Sequence, residues 1–408
     1  MKEPLLFLSH RIPYPPNKGD KIRSFHILKH LSKKYRIFLG TFVDDENDWQ
    51  YIDGLEPYVE EQLCLPLNPL WSKIKGLTAF ALGQPIANPY YFDRRLQRWV
   101  DGILEAHNPA KVFVYSSSMA QYVLDSKYDS RQRIIDFVDV DSDKWRQYSQ
   151  KKTGVMKWVY QREHRYLLDF ERKVAASFDA SLFVSVDEAA LFKQMAPEST
   201  AKIGSVSNGV DLDYFADTNG LQTPYEHEVP VLVFTGAMDY WANADAVQWF
   251  CDEVFPLIKQ TVEAAEFYIV GINPSSQVLA LGERVGVTVT GRVEDIRPYI
   301  HFANVAIASL QIARGIQNKI LEAMANSTPV VATGAAMEGI AIPEALNHLV
   351  QDVPAQFADK VVELFDSEYA QVTGAQCREA VEKSYSWQAC LQQLDAVLEN
   401  RTDGEQSL

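Results

Sequence analysis

Lys319 and Glu322 stand three residues apart in the run Gly315-Ile316-Gln317-Asn318-Lys319-Ile320-Leu321-Glu322-Ala323-Met324-Ala325, so a helix carries both on one face. Gly315 opens that helix, and its first turns hold Gln317, Asn318 and Lys319. The unpaired backbone N–H groups and positive dipole of such a helix start suit a diphosphate, and Lys319 adds a full charge there. Glu322 is suited to accept hydrogen bonds from two ribose hydroxyls. The plain alternative is a surface ion pair, worth about 0.2–0.5 kcal/mol. Ser327-Thr328-Pro329-Val330-Val331-Ala332-Thr333 follows at once as a strand, which makes the unit more specific than the pair alone.

A second group lies near the start, in Ser9-His10-Arg11-Ile12-Pro13-Tyr14-Pro15-Pro16-Asn17-Lys18-Gly19-Asp20-Lys21-Ile22-Arg23. Asp20 suits a helix cap. Lys18, Lys21 and Arg23 fit either an exposed basic helix start or a site for an acceptor pyrophosphate. His10, alone at a strand end, fits a structural hydrogen bond as readily as a base. Asp139, Asp141 and Asp143 follow another strand end, without the Gly and distal Glu of an EF-hand loop. Asp139 or Asp141 then orients an acceptor hydroxyl, or the carboxylates cap the next helix. Trp71 to Leu82 is an amphipathic, basic segment that fits a membrane interface or a buried helix equally.

The elements that must position these residues alternate. Apolar runs at Pro4–Arg11, Arg36–Val43, Gln62–Leu67, Lys111–Ser116, Arg133–Val138 and Ser181–Val186 read as strands. Helical patterns lie between them, at Asp20–Lys34 and around Lys157–Ala176. After a polar stretch, Asp217 to Glu228, the rhythm resumes. Strands are expected at Val231–Thr235, Glu266–Val270, Val287–Thr290, Val305–Ser309 and Val330–Thr333, with a helix at Asp245–Ile258. This predicts two doubly wound α/β units in tandem, 1–208 and 209–385, then a terminal helix and tail, 386–408, packing back on the first unit.

Composition agrees with two globular domains and narrows the partners. The 408 residues are 47% apolar, 23% charged and carry a net −15. Residues 1–208 hold 29 Lys and Arg against 26 Asp and Glu, whereas 209–408 hold 10 against 28. An acidic second half argues against nucleic acid as a partner. Four scattered cysteines without Cys-x-x-Cys spacing argue against a zinc site or disulfide framework. No signal peptide or membrane-spanning run is read, and a cytoplasmic protein is expected.

The Gly315–Thr333 block resembles the donor-site signature of family 4 (group 1) glycosyltransferases. Asn208-Gly209-Val210-Asp211 with Phe215 resembles that family's hinge-proximal motif. Phe234-Thr235-Gly236-Ala237-Met238 followed by Trp241-Ala242-Asn243-Ala244-Asp245 resembles the first donor-domain strand and loop. Gly291-Arg292-Val293 resembles the loop whose backbone receives the base. The resemblance implies the GT-B architecture, two Rossmann-like domains facing across a cleft. It implies sugar transfer from a nucleotide-sugar donor with retention, needing no metal and no cofactor. It places Gly236, Arg292, Val293, Gln317, Asn318, Lys319 and Glu322 at the donor and Gly19 at the reacting centre, with Lys319 and Glu322 also catalytic. Asp136 to Trp145 with Glu163–Arg165 is similar to the exosortase (PEP-CTERM) sugar transferases, which implies exopolysaccharide biosynthesis, a glycan or polyprenyl-linked acceptor and the inner membrane face.

Two departures stand out. Arg314 occupies the place of the family's first donor-loop Glu, and no basic residue lies between Gly236 and Asn243, where the family has Arg and Lys. The expectation is that Arg314 and Lys319 together neutralise the diphosphate. A nucleotide-sugar epimerase and a non-catalytic nucleotide-sugar-binding protein are the rival readings.

Overall fold

Strand β1, Glu3–Ser9, is apolar almost throughout and Leu5 to Leu8 have no solvent exposure. That is the pattern of a parallel strand covered on both faces. In the computed structural model, which describes residues 2–16, 19–150, 153–226, 229–313 and 316–399, β1 is central to a seven-stranded sheet. Its partners are β2 (Tyr35–Val43), β3 (Glu61–Pro66), β4 (Lys111–Tyr115), β5 (Gln132–Val138), β6 (Ala180–Phe183) and β7 (Ile203–Ser205). All pairs are parallel and the order is β3-β2-β1-β4-β5-β6-β7. The order reverses between β1 and β4, so the loops that follow these strands diverge and leave a crevice at their C-terminal ends.

The second sheet repeats the plan. Strands β8 (Val231–Thr235), β9 (Glu266–Val270), β10 (Val287–Gly291), β11 (Val305–Ala308) and β12 (Val330–Ala332) are parallel, in the order β10-β9-β8-β11-β12. Its reversal falls between β8 and β11. The chain divides into two compact units, Met1–Asn208 with Leu391–Leu408, and Gly209–Cys390.

The helix Trp387–Glu399 crosses that division. Within the first unit, Asp395 meets His30 at 2.9 Å, Lys111 donates to the Leu398 carbonyl at 2.8 Å and Gln132 to that of Val397 at 3.1 Å. Leu391, Leu394 and Leu398 are buried.

Three elements differ from expectation. The edge strand β7 is too short for periodicity to reveal. The last expected strand of the first unit stops at Phe183, because Ser185 turns to cap the next helix, accepting from the Glu188 N–H. The helix expected over Asp245–Ile258 starts at Trp241 and widens into a π turn at Phe250–Val254 before continuing as Phe255–Thr261. Pro256 lacks an N–H for the ladder and crowds the preceding turn, which favours that widening.

Candidate functional site

The loop after β8 and the loop after β9 are stitched together by backbone. Gly236 N–H donates to Val270 O at 3.0 Å and Met238 N–H to Ile272 O at 2.8 Å. The two chains pass so closely that a Cβ on Gly271 would lie 1.6 Å from the Gly236 carbonyl oxygen. A Cβ on Gly236 would lie 2.7 Å from Asn243 Nδ2 and 3.3 Å from Lys319 Nζ. Both glycines are therefore fixed by space. Gly271→Ala is expected to lower stability by about 1–3 kcal/mol through overpacking. A thermal melt checks this, and an unchanged melting temperature would show that the loops move apart freely.

Lys319 reaches this corner from the helix Asn318–Ala325, whose cap residue is Gln317. Its ammonium donates to Asn243 Oδ1 at 2.6 Å and sits 4.0 Å from the centre of the Phe234 ring. Asn243 Nδ2 donates in turn to the Ala237 carbonyl at 2.9 Å. Burial pulls the Lys319 pKa down to about 7, with Glu322 opposing. Burial pushes the Glu322 carboxyl up to about 7, with Lys319 opposing. A cation held over a ring face at the sheet's reversal point, next to a helix start, is poised to gain a strong anionic partner.

Asn318 and Arg292 are exposed and Val293 packs half-buried against the core. Gly291 has φ +68° and its carbonyl accepts from Gly271 N–H at 3.2 Å, which ties the third loop to the other two. Arg314 and Gly315 lie outside the described residues, so their expected diphosphate contacts have no geometry here. In the Asn208–Asp211 motif, Asp211 caps the helix Leu212–Ala216 by accepting from Tyr214 N–H at 3.0 Å. Arg297 stacks 4.2 Å from the Tyr214 ring centre and pairs with Asp295 at 2.7 Å.

In the first unit, the reversal between β1 and β4 holds a cavity of about 420 Å³. His10 follows β1, Ser116 to Ser118 follow β4, and Asp141 and Lys144 close another side. Lys144 binds Asp139 at 2.8 Å and Asp141 at 3.0 Å, so the two carboxylates share one cation. Asp143 turns away to Arg146 and Gln147. Burial lowers the His10 pKa to about 4, with Asp20 opposing at 3.7 Å, so the ring is neutral near pH 7. It stacks on Tyr115 and meets Tyr91 edge-on. Burial raises the Asp20 carboxyl, but the Arg11 guanidinium at 2.9 Å wins and holds it below the usual range. Glu171, 1% exposed, accepts from the Ser142 N–H at 3.3 Å at the start of the helix Asp141–Gln150; burial pushes its carboxyl up to about 8.

Two residues proposed for an acceptor pyrophosphate are corrected. Lys21 and Arg23 are each 1% exposed. Lys21 is tied to Asp48, and Arg23 donates to Asp136 at 2.8 Å and to Asn208 Oδ1 at 2.9 Å. Their charges are neutralised inside the fold and cannot meet a ligand from solvent. Gly19 and Asp20 begin the helix Gly19–Ser32, Asp20 half-buried at the level of His10, while Lys18 lies outside the described residues. The roles of Asn243, Gly271 and Lys144 were missed. A Gly one residue past β9 was the only signal available for Gly271.

Residues 229–367 match the family of glycosyl transferases group 1. Among solved structures, Anabaena Alr3699/HepE in complex with UDP and glucose is 14% identical with a TM-score of 0.61, over 97% of this chain and 99% of that one. A glycosyltransferase from Rickettsia africae is 14% identical with a TM-score of 0.60, over 98% and 99%. WaaG, a glycosyltransferase involved in lipopolysaccharide biosynthesis, is 13% identical with a TM-score of 0.58, over 97% and 100%. No curated protein matches the sequence. With the two doubly wound parallel sheets, these likenesses define the GT-B fold. The chain has the GT-B fold, and its residues 229–367 match the group 1 glycosyl transferases.

Proposed function

We propose that the protein transfers a sugar, with retention, from a nucleotide-sugar donor bound by the second unit to a glycan or polyprenyl-linked acceptor bound in the cavity of the first. The observation that carries the reading is Lys319, a half-buried cation held by Asn243 over Phe234 at the reversal of the second sheet. As the anomeric C–O bond loosens, charge grows on the leaving diphosphate. Lys319 and the helix N–H groups stabilise that charge, and Arg314 is proposed to join them. Glu322 takes the ribose hydroxyls. Asp139, Asp141 and neutral His10 orient the acceptor hydroxyl. No metal or cofactor is assigned a part. The setting proposed is exopolysaccharide assembly by an exosortase-associated enzyme at the cytoplasmic face of the inner membrane. No helix of the described residues is long and apolar enough to cross a membrane.

The first test is a thermal-shift screen against UDP-, GDP-, ADP- and dTDP-sugars, with Mg²⁺ and with chelator. Binding stabilises the folded state by about 2.7 kcal/mol at a hundred times Kd. UDP-sugars come first, because Anabaena Alr3699/HepE was crystallised with UDP and with UDP-glucose. A shift with one nucleotide class, insensitive to Mg²⁺ and reduced in Lys319→Ala and Arg314→Ala, is the expected result. Absence of any shift would overturn the donor site. Consumption of donor only with acceptor present separates the transferase from an epimerase or a non-catalytic binder. The anomeric configuration of the product, read by NMR, tests retention.

A further inference from the structure

Two stretches of the first unit carry no acidic residue. None occurs between Glu61 and Asp93, and none between Asp143 and Glu163, in a chain of net charge −15. The fold brings the two stretches together. Arg162 donates to the Ala79 and Gln84 carbonyls and lies 4.4 Å from the centre of the Phe80 ring, and Phe80 stacks on Trp158 at 6.1 Å.

What they show to solvent is apolar. Leu70 is 73% exposed, Trp71 66%, Leu77 64%, Val155 76% and Trp158 57%. The helix Pro69–Leu77 is inside out. Leu70, Ile74 and Leu77 recur at helical spacing on its exposed face, while Ser72 and Gly76 are its buried residues. A run of large side chains turned outward marks an interaction surface. Lys73, Lys75 and Lys157 are exposed among them.

We propose that this face docks on the surface of an anionic lipid bilayer. The tryptophans would sit at headgroup level, the aliphatic side chains at the headgroup–acyl boundary, and the lysines on anionic headgroups. The absence of any carboxylate across both stretches is the charge complement of such a surface. The same stretches supply Ile86, Tyr90, Trp145 and Tyr148 to the wall of the 420 Å³ cavity. An acceptor anchored in the bilayer would therefore present its headgroup beside that opening. This last step rests on the transferase reading; the docking does not.

The test is co-sedimentation of the full chain with vesicles of phosphatidylcholine alone or with phosphatidylglycerol added. Binding is expected to be at least about tenfold tighter with the anionic lipid and to weaken with salt. The triple variant Trp71→Glu, Leu77→Glu, Trp158→Glu should lose it. The milder Lys73→Gln, Lys75→Gln, Lys157→Gln variant should lose the preference for anionic lipid while keeping the wild-type melt. Failure to sediment, or sedimentation unchanged in both variants, would overturn the proposal. So would a concentration-dependent dimer abolished by the triple variant, since a second copy would then cover this face. Donor-induced thermal shifts should be equal in all three proteins. If none shows a shift while vesicle binding persists, the transferase reading fails and the docking stands.

Discussion

Lys319→Ala is expected to lower kcat by about 10²–10³, the scale of removing one charge-stabilising donor from a transition state. The pH dependence is the sharper measurement. Burial brings both Lys319 and Glu322 to about 7, from opposite directions. Below that pH Lys319 is charged and ready for the diphosphate. Above it, each further pH unit adds up to a tenfold penalty for recharging it. Glu322 works the other way, because its carboxylate accepts ribose hydroxyls best once ionised. The donor kcat/KM is therefore expected to peak near pH 7, with flanks that belong to the pair rather than to either residue. Glu322→Gln should remove the acid flank. Lys319→Ala should remove the alkaline flank and move the acid flank upward, since Lys319 holds Glu322 down. A flat profile in the unmodified protein between about pH 6 and pH 9 would mean that neither group meets the donor.

The largest effect on stability is expected at Asp136. It has no solvent exposure and neutralises Arg23, itself 1% exposed, at 2.8 Å. Asp136→Ala leaves a guanidinium buried without its counter-charge, which costs about 3–5 kcal/mol. For a unit of this size the melting temperature should fall by roughly 10 °C. The double change Asp136→Leu, Arg23→Met should recover most of the loss, because replacing both partners removes the uncompensated charge. A double variant as unstable as the single one would show that the pair's shape, not its charge, holds β5 to the helix Gly19–Ser32.

Central strands of both sheets were legible because strands covered on two faces are written as unbroken apolar runs. Val231–Thr235 and Glu266–Val270 fall where the pattern put them. β7 was not, because three residues contain no period. The site was legible where chemistry is local in sequence. Lys319 and Glu322 lie one turn apart on the helix Asn318–Ala325, and the structure brings the Lys319 ammonium to Asn243 and Phe234 at the sheet reversal. It was illegible where a charge is settled by a distant partner. Lys21 looked like a surface cation, but its counter-charge is Asp48, 27 residues away, and that of Arg23 is Asp136, 113 residues away. Asn243, which aims Lys319, is 76 residues from it.

The helix Trp387–Glu399 has a consequence for the order in which the chain matures on the ribosome. The first unit's sheet is complete by Ser205, yet the leucines and the aspartate that cover one side of it come from 391–398. All of Gly209–Cys390 must be synthesised before that cover exists. Domains commonly fold in turn as they emerge. Here the earlier one gains that cover, and Lys111 and Gln132 gain the Leu398 and Val397 carbonyls, only after the later one has been made.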